Sequence, residues 1–304
     1  MLTKTEIQEL LLLPLEELTE QANRIRIQHC GNRFDFCTIL NAKSGKCSED
    51  CKYCAQSIHY ETACKEYPLL NKQQILADAK QIADHGIRRY SIVTSGKKLN
   101  SAEVSELAES IAAIKETTDL HVCGSLGILD SSQYQILREA GLSRVHNNLE
   151  TSRTYFPSVC STHTYQDKLD AIAHAKASNM NICSGGIIGI GETMEDRIDL
   201  ALQLKQLDIK SVPINILSPI KGTPYENNPK LPYEEVLQTI AIFRFILPDA
   251  YIRLAGGRNQ LPDHGKRCFQ SGANAAITGN FLTTTGSGIE EDLQMIRSLG
   301  FVLT

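Results

Sequence analysis

The chain has 304 residues, 42% of them hydrophobic and 22% charged, with ten cysteines and a net charge of −4. This length excludes a miniprotein held together by disulfides, and the mildly acidic charge leaves no footprint for nucleic acid, so the expected partner is a small molecule. The N-terminus, Met1-Leu2-Thr3-Lys4-Thr5-Glu6, shows no secretory signal, and the longest apolar run, 10–15, contains Pro14 and falls far short of a bilayer span. A cytoplasmic chain with reduced thiols and no membrane partner is therefore expected.

The first element predicted is a charged helical stretch over 4–28, with the 10–15 run as its buried face and residues 1–30 forming an N-terminal extension. Short strand-like runs then alternate with helical patterns. Eight strands are predicted, at 35–40, 89–94, 120–126, 144–150, 181–188, 211–217, 251–255 and 275–278. Helices are expected between them at 72–85, 101–117, 131–140 and 193–207, with Gly86 and Gly141 as stop signals. No linker or low-complexity stretch interrupts the alternation. The pattern predicts one α/β domain over 1–304, a (β/α)8 TIM-type barrel with its helical extension, whose chemistry sits at the C-terminal ends of the strands.

The loop after the first strand carries Cys47-Ser48-Glu49-Asp50-Cys51-Lys52-Tyr53-Cys54. Three thiolates in a C-x3-C-x2-C run are one short of a closed structural zinc site, and one short of an ordinary four-iron cluster. One iron would remain open for a substrate. A zinc knuckle, or a redox pair at Cys51 and Cys54, is the blander reading, but neither accounts for the third cysteine. The strands are also polar for a packed barrel. Cys37, Cys123 and Cys183 fall on strands one, three and five, Arg253 on strand seven, and Asn148, Glu150 and Asn215 on strands four and six. Residues two apart on a strand share a face, so Asn148 and Glu150 are expected to face the lumen together. A single strand cysteine commonly packs as a small hydrophobe. Three of them opposite a buried arginine point to a second metal site, because an anionic cluster would compensate a guanidinium that is otherwise costly to bury.

The cysteine run, with the aromatic Tyr53 before its last member, resembles the signature of the radical S-adenosylmethionine (SAM) enzymes. Over nearly its whole length the chain resembles the biotin synthase family, through residues 47–57, His146–Ser152 with Asn148 and Glu150, Cys183–Thr193, 211–215 with 221–224, and 252–258. The resemblance implies a 4Fe–4S cluster on Cys47, Cys51 and Cys54, with SAM filling the open iron, and an auxiliary iron–sulfur cluster that supplies sulfur to dethiobiotin. It further implies that Tyr53 and Ile190 help bind the cofactor, and that Asn148 and Glu150 lie between the SAM ribose and the substrate. Asn215 would hydrogen-bond the ureido ring. An electron donor such as flavodoxin or ferredoxin, and a homodimer, are implied as well. Glu150 stands where family members often carry aspartate.

The departures concern the auxiliary cluster, for which Cys123, Cys183 and Arg253 match the family's pattern while Ser91 replaces its third cysteine. Cys37 is expected to take over that role, with Cys30 as a further candidate. Four thiolates would suffice for a cluster larger than two irons, up to four. Gly189-Ile190-Gly191-Glu192 lacks the spacing of a dinucleotide fingerprint. Cys64, Cys160 and Cys268 read as structural or exposed thiols. A cousin enzyme on the same barrel, or an iron–sulfur carrier, would share part of this pattern.

Overall fold

The structure is a computed structural model that describes residues 2–279 and 288–304. The chain opens with α1 (Lys4–Leu10) and α2 (Leu15–Cys30), followed by β1 (Arg33–Lys43), α3 (Lys72–Asp84), β2 (Arg89–Thr94), α4 (Ser101–Thr117) and β3 (His121–Ser125). It continues with α5 (Ser131–Glu139), β4 (Arg144–His146), α6 (Tyr165–Ala177), β5 (Asn181–Cys183), β6 (Gly186–Ile188), α7 (Met194–Gln206), β7 (Ser211–Ile216), α8 (Tyr233–Ile246) and β8 (Tyr251–Leu254). The last elements are α9 (Lys266–Phe269), β9 (Ala275–Ile277), α10 (Ile289–Ser298) and β10 (Val302–Leu303).

Every paired strand is parallel, in the order β5-β4-β3-β2-β1-β9-β8-β7-β6. The two ends of that path, β5 and β6, are successive halves of the single strand predicted over 181–188, so the sheet closes into a TIM-type ring. One half is bonded on the β4 side, where Asn147 N donates to Cys183 O at 3.0 Å, and the other on the β7 side, where Leu217 N donates to Ile188 O at 2.9 Å. Ser184-Gly185 is the break between them. A Cβ on Gly185 would lie 1.9 Å from Pro213 O, so only glycine lets the kinked strand approach β7 this closely. β10 lies outside the ring, paired with the start of β1.

Capping decides where the outer helices begin. Asn71, Asn100, Asp130, Thr164 and Thr193 each accept from the backbone three residues on, while the side chain there bonds back, forming capping boxes at α3, α4, α5, α6 and α7. α3 and α5 stop just before Gly86 and Gly141 as predicted. The N-terminal stretch differs from expectation. Pro14 caps α2 and splits the predicted helix in two, and the 10–15 run forms this corner, with Leu12 85% exposed. A proline has no N–H to give a continuing helix, and so the run does not form one buried face.

Candidate metal centres and lumen

Cys47, Cys51 and Cys54 lie on the loop that leaves β1, at the mouth of a cavity of about 410 Å³ within the ring. Backbone bonds shape this loop: Cys47 N donates to Gln56 O, Ile58 N to Cys47 O and Cys54 N to Cys51 O, each at 2.9 Å. All three thiols are free and partly exposed to the cavity. Burial pushes the Cys54 thiol up to about 11, against a backbone hydrogen bond from Gln56.

A second segment, which the sequence reading passed over, braces this loop. Lys52 N donates to Val159 O at 3.0 Å, and the Asp50 carboxylate accepts from Ser161 N at 2.8 Å and Thr162 N at 3.1 Å. Glu49 Oε2 lies 2.6 Å from His163 Nδ1 and accepts from Thr162 Oγ1 at 2.9 Å. Cys160, expected as a structural or exposed thiol, is buried within this brace. Its Sγ donates to Asp50 Oδ1 at 3.1 Å and lies 3.3 Å from His163 Nδ1. The neighbouring Cys51 does most to lower the Cys160 thiol, helped by His163 and Thr162 and opposed by burial and Asp50, while Cys160 in turn raises Cys51. Acid and histidine at these spacings were the available signal, but 110 residues separate Asp50 from Cys160 in the chain.

The floor of the cavity carries the second thiol set. Cys37, Cys123 and Cys183 all line it, as does Ser91. Register places Ile39 opposite Ser91 and Ser91 opposite Cys123, so Cys37 sits two residues nearer the N-terminal end of β1 than the level of Ser91. Burial raises the Cys37 thiol, with Cys123 adding to the effect while Arg253 and Arg89 oppose it. Burial likewise raises Cys123, against Arg144 and Arg89. Arg89 Nη1 lies 3.9 Å from Cys123 Sγ, and Ser211 Oγ donates to Cys183 Sγ at 3.2 Å.

Asp35, which the sequence reading counted only as a strand residue, neutralises part of this floor. Its carboxylate pairs with Arg253 Nη2, with Arg89 Nε at 3.0 Å and more distantly with Arg144 at 4.0 Å. Burial works to raise Asp35, but Arg253 and Arg89 outweigh it and hold the carboxyl below its usual range. Arg253 is thus balanced by an aspartate, and its Nη1 donates to Asp35 O and Ala276 O at 3.0 Å each. Three arginines face one carboxylate, and the buried Arg144 Nε has no hydrogen-bond partner among the described residues. The residues present fit an anionic, sulfide-rich group. Cys30 is not brought to this site: it ends α2, with its Sγ 3.4 Å from Arg244 Nη1 and 3.7 Å from Pro248 O. It is not among the residues that line the cavity.

Asn148, Glu150 and Asn215 line the cavity between the two thiol sets. β4 ends at His146, yet Asn148 and Glu150 still face inward together, and Asn148 Nδ2 donates to Glu150 Oε2 at 3.3 Å. Glu150 takes a left-handed φ of +69°, which turns the chain out of the strand. Burial raises its carboxyl, opposed by Lys168, Tyr53 and Asn148. Asn215 Nδ2 donates to Gly186 O at 3.0 Å and its Oδ1 accepts from Gly256 N at 2.9 Å. An amide has two donors and two lone pairs, so one of each remains for a ligand. Tyr53 also lines the cavity, whereas Ile190 is buried beside it in a small cluster with Val159, Ile187, Leu217 and Tyr225. His146, inside the cavity, is lowered by burial and Lys168 to about 4 and stays neutral.

Comparison with known proteins agrees with this geometry. The radical SAM superfamily profile matches residues 42–204, and the biotin and thiamin synthesis associated domain matches 213–302. The chain is 52% identical over 300 residues to a biotin synthase of Brachyspira hyodysenteriae, covering 99% of this chain and 90% of that one. It is 51% identical over 301 residues to a biotin synthase of Clostridium botulinum, covering 99% and 95%. Among solved structures, methylornithine synthase (PylB) superposes with a TM-score of 0.85 at 20% identity, covering 100% of this chain and 94% of its own, which is a likeness of fold.

Proposed function

The chain belongs to the biotin synthase family of the radical SAM superfamily, and from that premise we propose how its residues divide the reaction. Its activity is that of the family: insertion of sulfur into dethiobiotin to close the thiolane ring of biotin. When bound, the SAM-ligated 4Fe–4S cluster supplies the means to take hydrogen from unactivated carbon, and the auxiliary cluster supplies the sulfur.

Cys47, Cys51 and Cys54 would hold the SAM cluster and leave its fourth position to SAM. Cys37, Cys123 and Cys183 would hold the auxiliary cluster on the floor, with Cys37 standing in for the thiolate that Ser91 cannot offer to soft iron. Arg253 serves as a charge partner there, since Asp35 and two backbone carbonyls already occupy its Nη atoms. Asn215, with one donor and one acceptor to spare, binds the substrate's polar ring, and Asn148 and Glu150 position the cofactor sugar against it. Tyr53, packed with Ile190, walls the cofactor side. A lumen within the ring holds reacting groups close together and limits the water that reaches them.

Family likeness also supports a one-electron donor of the flavodoxin or ferredoxin class and a homodimer. All ten cysteines are unpaired, which supports a reducing, cytoplasmic setting, and among the described residues no helix is long and apolar enough to cross a membrane. Strands from both matched segments share one ring, which supports reading 1–304 as a single domain.

The observation that carries this reading is that two separate thiol sets, one at the mouth and one on the floor, line the same cavity. Iron and sulfide analysis of anaerobically reconstituted variants tests it. Cys37→Ala is expected to lose auxiliary iron and biotin formation while SAM cleavage continues, and Ser91→Ala and Cys30→Ala are expected to keep their iron. Full auxiliary iron and sulfur insertion in Cys37→Ala would return that residue to the core.

A further inference from the structure

Cys160 and His163 are not needed for either cluster, yet both are buried against the loop that carries Cys51. The ligating atoms of Cys51, Cys160 and His163 all lie within 4.8 Å of one another. A tetrahedral ion with metal–sulfur bonds of about 2.3 Å and metal–nitrogen bonds of about 2.0 Å brings such atoms to just under 4 Å apart, so small side-chain shifts close this trio on one ion. A multi-iron cluster is several atoms across and spreads its ligating sulfurs more widely. Two thiolates and an imidazole are also the donor set that zinc favours. Glu49 and Asp50 touch only one member of the trio each, His163 and Cys160, so a water would complete the tetrahedron, as it does at open zinc sites. Cys51 opens on the cavity and provides the way in.

We propose that, before a cluster is installed, Cys51, Cys160 and His163 form a mononuclear site for a thiolate-seeking divalent ion such as zinc. That site and the SAM cluster exclude each other, because both require the Cys51 sulfur. The exclusion rests on the assignment of Cys51 to the cluster; the site itself rests only on the convergence of three ligands. Binding releases to solvent whatever protons the two thiols and the imidazole Nδ1 carry, and no electron is transferred.

The test is an anaerobic titration of the full-length, cluster-free chain with Co2+ alone, read by the visible bands of tetrahedral cobalt and by the sulfur-to-cobalt charge-transfer band. One cobalt per chain with two-sulfur intensity is expected. Cys160→Ala and His163→Ala should each weaken binding at least about tenfold, since even outer-sphere changes at metal sites commonly cost that much. Cys160→Ser keeps a hydroxyl for Asp50 but is a poor soft ligand, and it should weaken binding as well, which separates a lost ligand from a lost brace. The double variants Cys47→Ala/Cys54→Ala and Cys37→Ala/Cys123→Ala should bind cobalt as the parent does. Unweakened binding in both Cys160→Ala and His163→Ala, or its loss in Cys47→Ala/Cys54→Ala, overturns the site. If the cluster-loaded parent still takes up cobalt in a Cys160-dependent way, the site stands and the exclusion falls, and with it the assignment of Cys51 to the cluster.

Discussion

Replacing Asp35 with asparagine removes the one carboxylate under three arginines while preserving its shape. Asp35 is 2% exposed and Arg253 3%, so water cannot take over the lost charge. Deleting one partner of a buried ion pair costs about 3–5 kcal/mol, because the remaining ion stays buried without compensation. For a chain of 304 residues, that corresponds to a melting-temperature drop of about 5–8 °C. The drop should be largest in the cluster-free protein. Once the floor holds an anionic cluster, the arginines have a second counter-charge, and the difference between Asp35→Asn and the parent should shrink. The pH dependence has a definite sign. The folded carboxyl lies below its unfolded value of about 3.9, so its contribution is present above that pH and disappears as pH falls through the folded value. Asparagine does not titrate, and the variant should lose less stability than the parent on acidification below about pH 4. Differential scanning calorimetry of both proteins, with and without reconstituted clusters, measures each part. A cluster-free variant that melts within 1 °C of the parent would refute the charge balance described here.

Three further outcomes can be checked independently. Asn215→Ala should weaken dethiobiotin binding in the presence of SAM by about tenfold, the effect of losing a buried hydrogen-bond partner worth 1–3 kcal/mol, and equilibrium dialysis giving an unchanged affinity would rule out this contact. Gly185→Ala should destabilise the ring by about 3 kcal/mol or more, since its Cβ would meet Pro213 O at 1.9 Å, and an unshifted urea midpoint would show that the strand break relaxes freely. Asp50→Ala should leave α6 capped but loosen the cluster loop, so that iron is lost faster to a chelator than in the parent; equal rates would mean that the 159–163 brace does not hold the loop.

Much of the barrel was legible because its signals are local. Alternation of strand-like and helical runs predicted eight strand positions, and Gly86 and Gly141 marked the ends of two helices. The misreadings also have local causes. Pro14 interrupts an otherwise apolar run, and periodicity alone credited that run to one buried face. The 181–188 strand has the composition of a single strand, and only its distance to Pro213 shows that Gly185 must break it.

What the sequence by itself determined is what spacing along one segment can encode: the three-thiol loop, the helix ends at Gly86 and Gly141, the parallel ring and the family. The tertiary structure decided everything that depends on residues far apart in the chain. Cys30 lies seven residues before Cys37 yet falls outside the ring, because the turn at Gly31 separates the helix layer from the strand layer. Asp35 meets Arg253 across 218 residues and Cys160 meets Asp50 across 110, and both contacts are fixed by ring closure. A charge or a thiol has no periodicity to betray its partner; its energy depends on which opposite charge or ligand the fold brings within a few ångströms, in a place that water does not reach.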